Sequence, residues 1–69
     1  MITIEEIQKR LRAEIKSSSK TQKEIAEALG INPSTVSKYM RKDKYPSLDT
    51  FANICEILDL SADDILGLR

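Results

Sequence analysis

A polar stretch at residues 32–41 carries the side chains best suited to hydrogen bonding with another molecule. Read as a helix, it turns Val36, Tyr39 and Met40 inward. The outward positions are then Ser34, Thr35, Ser37, Lys38 and Arg41. Hydroxyl groups can donate or accept a hydrogen bond, whereas lysine and arginine only donate. Small polar side chains combined with basic ones suit insertion into a groove.

The charge of the chain is unevenly distributed along the sequence. The net charge is zero, with 11 basic and 11 acidic residues. Residues 8–44 hold ten lysine and arginine residues against four acidic ones, whereas residues 1–7 carry a net −2 and residues 45–69 a net −4. A solvated helix surface can produce such a gradient by chance. The basic segment therefore indicates a binding function only in combination with the polar stretch at residues 32–41 that it contains.

Other kinds of chemistry have few residues to support them. The chain has no histidine and one cysteine, so a zinc site with the usual ligands and an internal disulfide are both excluded. No nucleophile stands beside a base and no glycine-rich phosphate loop occurs, so we expect neither an enzyme, a cofactor nor a small-molecule ligand. Cys55 is expected to be a small buried hydrophobic residue, with a redox sensor as the alternative.

Helix signals occur at regular intervals from the N-terminus. The sequence Thr3-Ile4-Glu5-Glu6 has the form of a capping box, and an apolar stripe follows it at three- and four-residue steps: Ile4, Ile7, Leu11 and Ile15. The three serines at 17–19 interrupt this first helix. Thr21 and Glu24 repeat the capping-box pattern and predict a second helix that ends at Gly30.

A third helix must begin almost immediately after the second. Asn32 is a strong N-cap. Pro33 fits the first helical position because the N–H that proline lacks would make no hydrogen bond within the helix there. Two short helices joined by a turn centred on Gly30 and Ile31 have the layout of a helix-turn-helix. The spacing between the two helices is the informative feature.

Two more helices complete one domain over residues 1–69. Pro46 ends a basic connection, and a fourth helix is expected from Ser47 or Leu48. Ser61 is expected to cap a fifth helix over residues 62–66. No apolar run is long enough to span a bilayer and no signal peptide is evident, so we expect no membrane partner and a cytoplasmic location.

These segments together resemble the lambda-repressor, Cro and Xre-type helix-turn-helix domains of bacterial and phage regulators. The resemblance covers nearly the whole chain. It depends on the order and spacing of four segments: residues 21–31, 34–38, 46–50 and 60–66. It implies an all-α fold, a compact five-helix bundle in which helices two and three form the helix-turn-helix.

The resemblance also implies a role for individual residues on double-stranded DNA. The recognition helix, about 33–41, would enter the major groove, with these residues nearest the base edges: Asn32, Pro33, Ser34, Ser37 and Lys38. Gln22 would donate to a phosphate and brace the start of helix three. The other expected phosphate contacts are Lys20, Lys23, Thr35, Arg41, Lys42 and Lys44. By their chemistry, Lys38 can donate to guanine O6 and N7, and Pro33 can only make apolar contact, for example with a thymine methyl.

Three features depart from the family's pattern. Lys42 and Asp59 stand after helices three and four, where family members often have glycine. Met40 stands where an acidic residue often pairs with an arginine of helix one. The stretch between Leu11 and Gln22 is longer than usual, which leaves open whether Arg12 or Ile15 faces Met40.

The sequence thus predicts a DNA-binding transcriptional regulator, with a repressor preferred over an activator. One recognition helix reads only a few base pairs, so a homodimer on a palindromic operator is expected. Its interface is predicted at the apolar C-terminal residues Ile65, Leu66 and Leu68. The alternative is a protein-interaction module, such as an antitoxin part or an adaptor, that uses the same fold.

Overall fold

The computed structural model describes residues 1–68, which form five α-helices and no strand. The helices are α1 (Ile4–Ser17), α2 (Gln22–Leu29), α3 (Pro33–Met40), α4 (Leu48–Leu58) and α5 (Ala62–Leu66). The predicted all-α class and the five helices are confirmed. Arg69, the last residue of the predicted domain, lies outside the described residues.

The helix starts follow the capping residues found in the sequence. The Thr21 hydroxyl accepts from the backbone N–H of Glu24 at 3.1 Å, and the Glu24 carboxylate accepts from the N–H of Thr21 at 2.8 Å. This is a complete capping box. At α1 the structure contains only half of that motif, in which the Thr3 hydroxyl accepts from the N–H of Glu6. Ser61 caps α5 in the same way through the N–H of Asp64.

The ends of α2, α3, α4 and α5 share one backbone geometry although their residues differ. Gly30 and Gly67 have positive φ values of 70° and 73°, and Lys42 and Asp59 have 68° and 54°. Glycine adopts this left-handed conformation readily, whereas a residue with a Cβ does so at a cost. Lys42 and Asp59, which stand where family members often have glycine, therefore adopt the left-handed backbone conformation that glycine favours.

The core is aliphatic and involves all five helices. Its buried residues are Leu11, Ile15, Ile25, Ala26, Val36, Tyr39, Ile54, Cys55 and Ile65. Helix α2 packs against α3 and α4, and α1 packs against α5 and α3. Cys55 is buried as predicted, and its burial raises the pKa of its thiol above the ordinary value.

The packing of α1 decides which residue faces the end of α3. Ile15 is 4% exposed and belongs to the core, whereas Arg12 lines a surface groove together with Met40. Arg12 therefore shares a surface groove with Met40, whereas Ile15 and Met40 both belong to the core packing. The stripe of α1 also contains Gln8, which is only 4% exposed and is the one polar residue buried among residues 1–68.

Among residues 1–68, no helix combines the length and the apolar character that crossing a bilayer would need.

Candidate nucleic-acid interface

The turn between α2 and α3 is held by local backbone bonds. The N–H of Ile31 donates to the carbonyl of Ala26 at 3.0 Å, and the N–H of Gly30 donates to that of Glu27 at 3.2 Å. Ile31 then packs against the core, and Val36 of α3 is fully buried beside it. The predicted helix-turn-helix is thus present, with one face of α3 buried and the opposite face open.

The start of α3 presents an organised group of polar atoms. The Asn32 side-chain oxygen accepts from both the N–H and the hydroxyl of Ser34, each at 3.0 Å. A backbone N–H can only donate, so this contact fixes which end of the amide faces the helix. The Asn32 amide nitrogen is therefore directed away from its own cap. Pro33, between the two residues, is exposed.

A second hydrogen bond connects α2 to the middle of α3. The Ser37 hydroxyl donates to the side-chain oxygen of Gln22 at 3.0 Å. In this arrangement the Gln22 amide nitrogen has its two hydrogens available. The sequence led us to expect that Gln22 would brace the start of α3. It instead bonds to Ser37, one turn further along the helix.

These bonds assign a polarity to each group on the open face. Asn32 and Gln22 present amide N–H donors because none of these bonds uses their amide nitrogens. Ser34 and Ser37 present acceptor lone pairs because each has given its hydrogen to an amide oxygen. Lys38, which is exposed, adds a donor. With its oxygen engaged, Asn32 cannot form the bidentate pair with adenine that asparagine otherwise favours.

Basic side chains precede and follow this face along the chain. Lys20 and Lys23 are exposed beside the start of α2, and Lys42 and Lys44 are exposed after α3. The Arg41 guanidinium contacts the Asp43 carboxylate at 3.2 Å, with both side chains more than half exposed. Such a pair contributes little to stability, so an arriving phosphate can replace it at small cost. Thr35 is half-buried, and its backbone N–H donates to the Asn32 carbonyl.

The capping box keeps a negative charge close to these lysines. The backbone hydrogen bond from Thr21, followed by one from its side chain, holds the pKa of the Glu24 carboxyl below its ordinary value of 4.5. Glu24 is therefore ionised at neutral pH, and the charge of Lys20 acts in the same direction. This carboxylate orders the start of α2, at which Gln22 is the first residue.

Gln8 positions the basic connection after α3, and the sequence analysis missed it. Its amide nitrogen donates to the carbonyl of Tyr39 at 3.3 Å and to the carbonyl of Lys44 at 3.0 Å. Both are backbone groups more than 30 positions away along the chain. A polar residue inside an apolar stripe, between Ile4 and Leu11, was the available signal. Its partners could not be identified from the sequence.

The structure separates the three residues predicted for a dimer interface. Ile65 is 3% exposed and belongs to the protein's own core, so it is not available to a second subunit. The protein's own core covers this apolar side chain, whereas the sequence analysis expected a second subunit to cover it. Leu66 is half-buried, and Leu68 is 74% exposed. Of the three predicted residues, only Leu66 and Leu68 keep solvent-accessible surface beyond a few per cent.

Two curated proteins are similar to this chain. One is the cryptic phage CTXphi transcriptional repressor RstR of Vibrio cholerae, 30% identical over 61 residues, which cover 88% of this chain and 54% of the relative. The other is the uncharacterized HTH-type transcriptional regulator YobD of Bacillus subtilis, 37% identical over 59 residues, which cover 86% of this chain and 53% of the relative. The chain thus spans about half the length of these relatives. No solved structure gives a significant match.

The helix-turn-helix family model matches residues 11–65, which include all of α2, α3 and α4 and the bonded turn between α2 and α3. This match bears out the resemblance drawn from the order of the four sequence segments. The chain belongs to the helix-turn-helix family.

Proposed function

We propose that this chain is a sequence-specific, double-stranded DNA-binding transcriptional regulator that places α3 in the major groove. The observation that carries the proposal is the open face of α3, where donors and acceptors are set by internal hydrogen bonds. Membership of the helix-turn-helix family and two relatives named as transcriptional regulators support DNA binding and regulation. One of these relatives is named a repressor, which favours repression for this chain.

The residues nearest the base edges would read the groove by their fixed polarity. Asn32 and Lys38 donate, and guanine O6 and N7 and thymine O4 are the acceptors that such donors meet. Ser34 and Ser37 offer acceptors, which suit the amino groups of adenine and cytosine. Pro33 makes apolar contact.

The phosphate contacts would come from both sides of α3. Gln22 donates through the amide nitrogen that its bond with Ser37 leaves available. The remaining proposed contacts are Lys20, Lys23, Thr35, Arg41, Lys42 and Lys44. Contacts of this kind set the register of the protein on the duplex and carry no sequence information directly.

We propose that the regulator binds as a homodimer on a palindromic operator. A single recognition helix contacts few base pairs, and two copies on half-sites one helical turn apart read twice as many. Leu66 and Leu68 are the proposed contact, since burial of their exposed apolar surface against a second copy would stabilise the dimer. Sedimentation on DNA tests this arrangement, and a strictly monomeric complex would contradict it.

A protein-interaction module is the second candidate, and one surface favours it. An apolar groove of about 110 Å³ lies between α1, the connection at Tyr45 and Pro46, and the start of α4. Leu48, which lines this groove, is 88% exposed. Salt separates the two candidates because phosphate contacts make the logarithm of affinity fall steeply with the logarithm of salt, whereas an apolar interface responds little.

Selection of bound duplexes from a random DNA pool at physiological salt is the first test. Enrichment of a palindrome with half-sites about ten base pairs apart supports the proposal and identifies the operator. An unenriched pool would favour a protein partner instead.

The selected site then allows a sharper test of Lys38. We expect Lys38→Ala to weaken binding by about 1–3 kcal/mol and to relax the preference at one base pair of each half-site. Lys44→Ala is the matched control, because loss of a phosphate contact weakens all sequences alike and lowers the salt dependence by about one unit. Unchanged affinity and preference in Lys38→Ala would remove its base-reading role.

A further inference from the structure

One flank of α1 forms a basic groove that none of the proposed DNA contacts uses. The groove has a volume of about 450 Å³, and its lining consists of Lys9, Arg12, Ala13, Lys16 and Met40. The three basic residues recur at steps of three and four, so they share one side of the helix. No acidic residue is among those that line it.

Arg12 contributes an unusual atom to this groove. Its Nη1 is buried and has no hydrogen-bond partner, and it is the sole buried side-chain nitrogen or oxygen in that condition within residues 1–68. Leaving a buried donor without a hydrogen-bond partner is unfavourable. The guanidinium would therefore gain from any acceptor that a shift of the side chain toward the groove brings within reach.

Met40 explains why the partner is missing. It closes the groove opposite α1 with a thioether, whose sulfur is a weak acceptor. A carboxylate at this position could pair with the guanidinium. With methionine there, no carboxylate lines the groove.

We propose that this groove is a phosphate-binding site and that the phosphate belongs to the DNA backbone. A planar guanidinium flanked by two ammonium groups matches the geometry and charge of a phosphate. The assignment of this phosphate to DNA rests on the proposed function. The experiments must therefore distinguish a failure of the phosphate site from a failure of DNA binding.

The position of the groove in the fold favours a phosphate of the duplex bound by α3. Met40 is the last residue of α3, so the groove begins where the recognition helix ends. Gln8, one helical turn before Arg12, holds the carbonyls of Tyr39 and Lys44. The groove therefore lies next to the start of the basic connection, which follows Met40 directly in the sequence.

The decisive variant supplies the missing acceptor from within the protein. We expect Met40→Glu to pair with Arg12, to raise the melting temperature, and to weaken DNA binding about 5- to 10-fold with a salt dependence lower by about one unit. Met40→Gln has a similar shape without the charge and reports the effect of losing the methionine alone. Increased stability with unchanged affinity and salt dependence would overturn the proposal.

A double-mutant cycle separates this pairing from simple repulsion between the new carboxylate and DNA. If Met40→Glu acts by occupying Arg12, its effects on melting temperature and salt dependence shrink in an Arg12→Gln background. Equal effects in both backgrounds would mean that Arg12 is not involved, and would contradict the site.

Inorganic phosphate tests the groove without DNA. We expect phosphate to raise the melting temperature of the wild-type chain more than that of Arg12→Gln or Met40→Glu, at ionic strength matched with chloride. Equal protection of all three would overturn the site. If the wild-type chain binds no DNA, the proposed function fails, yet protection that depends on Arg12 still supports a phosphate site. Protection with an unaltered DNA salt dependence in Met40→Glu would overturn the DNA backbone as its source.

Discussion

The two connections that flank α3 reach a similar backbone geometry by different means. The connection before it uses neighbouring residues, with Gly30 in the left-handed region and Asn32 as a bonded N-cap. The connection after it has Lys42 in the left-handed region, and a helix N-cap, Ser47, that makes no side-chain capping bond. Gln8, on a distant helix, holds that second connection. The connection before α3 is therefore locally encoded, whereas the connection after it depends on tertiary packing.

Removal of Gln8 should give the largest difference between the two sides. We expect Gln8→Ala to destabilise the fold by about 2–3 kcal/mol, because two backbone carbonyls lose their donor and a small cavity forms. Urea unfolding measures the loss, and hydrogen exchange should speed up at residues 41–45 while the turn at 30–32 keeps its protection. Glu14→Ala, an exposed change on the same helix, is the control. A loss below about 0.5 kcal/mol would mean that the second connection holds itself in place.

Replacement of Lys42 by glycine should have a smaller effect, of opposite sign. We expect Lys42→Gly to stabilise the protein by about 1 kcal/mol, because glycine adopts a φ of 68° without the cost that a Cβ brings. DNA affinity should nevertheless fall, since a proposed phosphate contact is lost. Asp59→Gly relieves the same strain after α4 and is the matched control, with similar stabilisation and unaltered DNA affinity. A destabilised Lys42→Gly would show that this lysine does more for the fold than occupy the turn.

Substitutions of Asn32 should separate its role as the N-cap of α3 from its proposed role in base recognition. They should also change stability least among these variants. We expect Asn32→Ser to stay within a few tenths of a kcal/mol of wild type and Asn32→Ala to lose about 1 kcal/mol, because serine is a comparable N-cap and alanine is not. Both variants lack the amide donor, so both should alter the preference at the same base pair. Duplex selection with each variant measures this. If Asn32→Ser kept the base-pair preference of the wild-type protein, Asn32 would act only as the N-cap of α3.

The apolar and basic surfaces of the protein also differ in how well the sequence predicted them. The exposed polar face of α3 was predicted correctly because period and residue type define it locally. The exposure of the residues predicted for a dimer interface was harder to predict, because Ile65 and Leu68 have similar hydrophobicity but opposite exposure. Which leucine or isoleucine is covered depends on the neighbouring helices, here α1 against α5.

The sequence by itself determined the local features of this protein: where the helices start, the glycine turn between α2 and α3, and the residue types on the open face of α3. These depend on caps, periodicity and turn residues within a few positions of one another, so their physical causes are present in any short segment. The tertiary structure alone decided that Gln8 donates to Tyr39 and Lys44, that Gln22 accepts from Ser37, and that Arg12 and Met40 line one groove. Those contacts join residues 15 to 36 positions apart, and only the packing of the helices sets which of them meet.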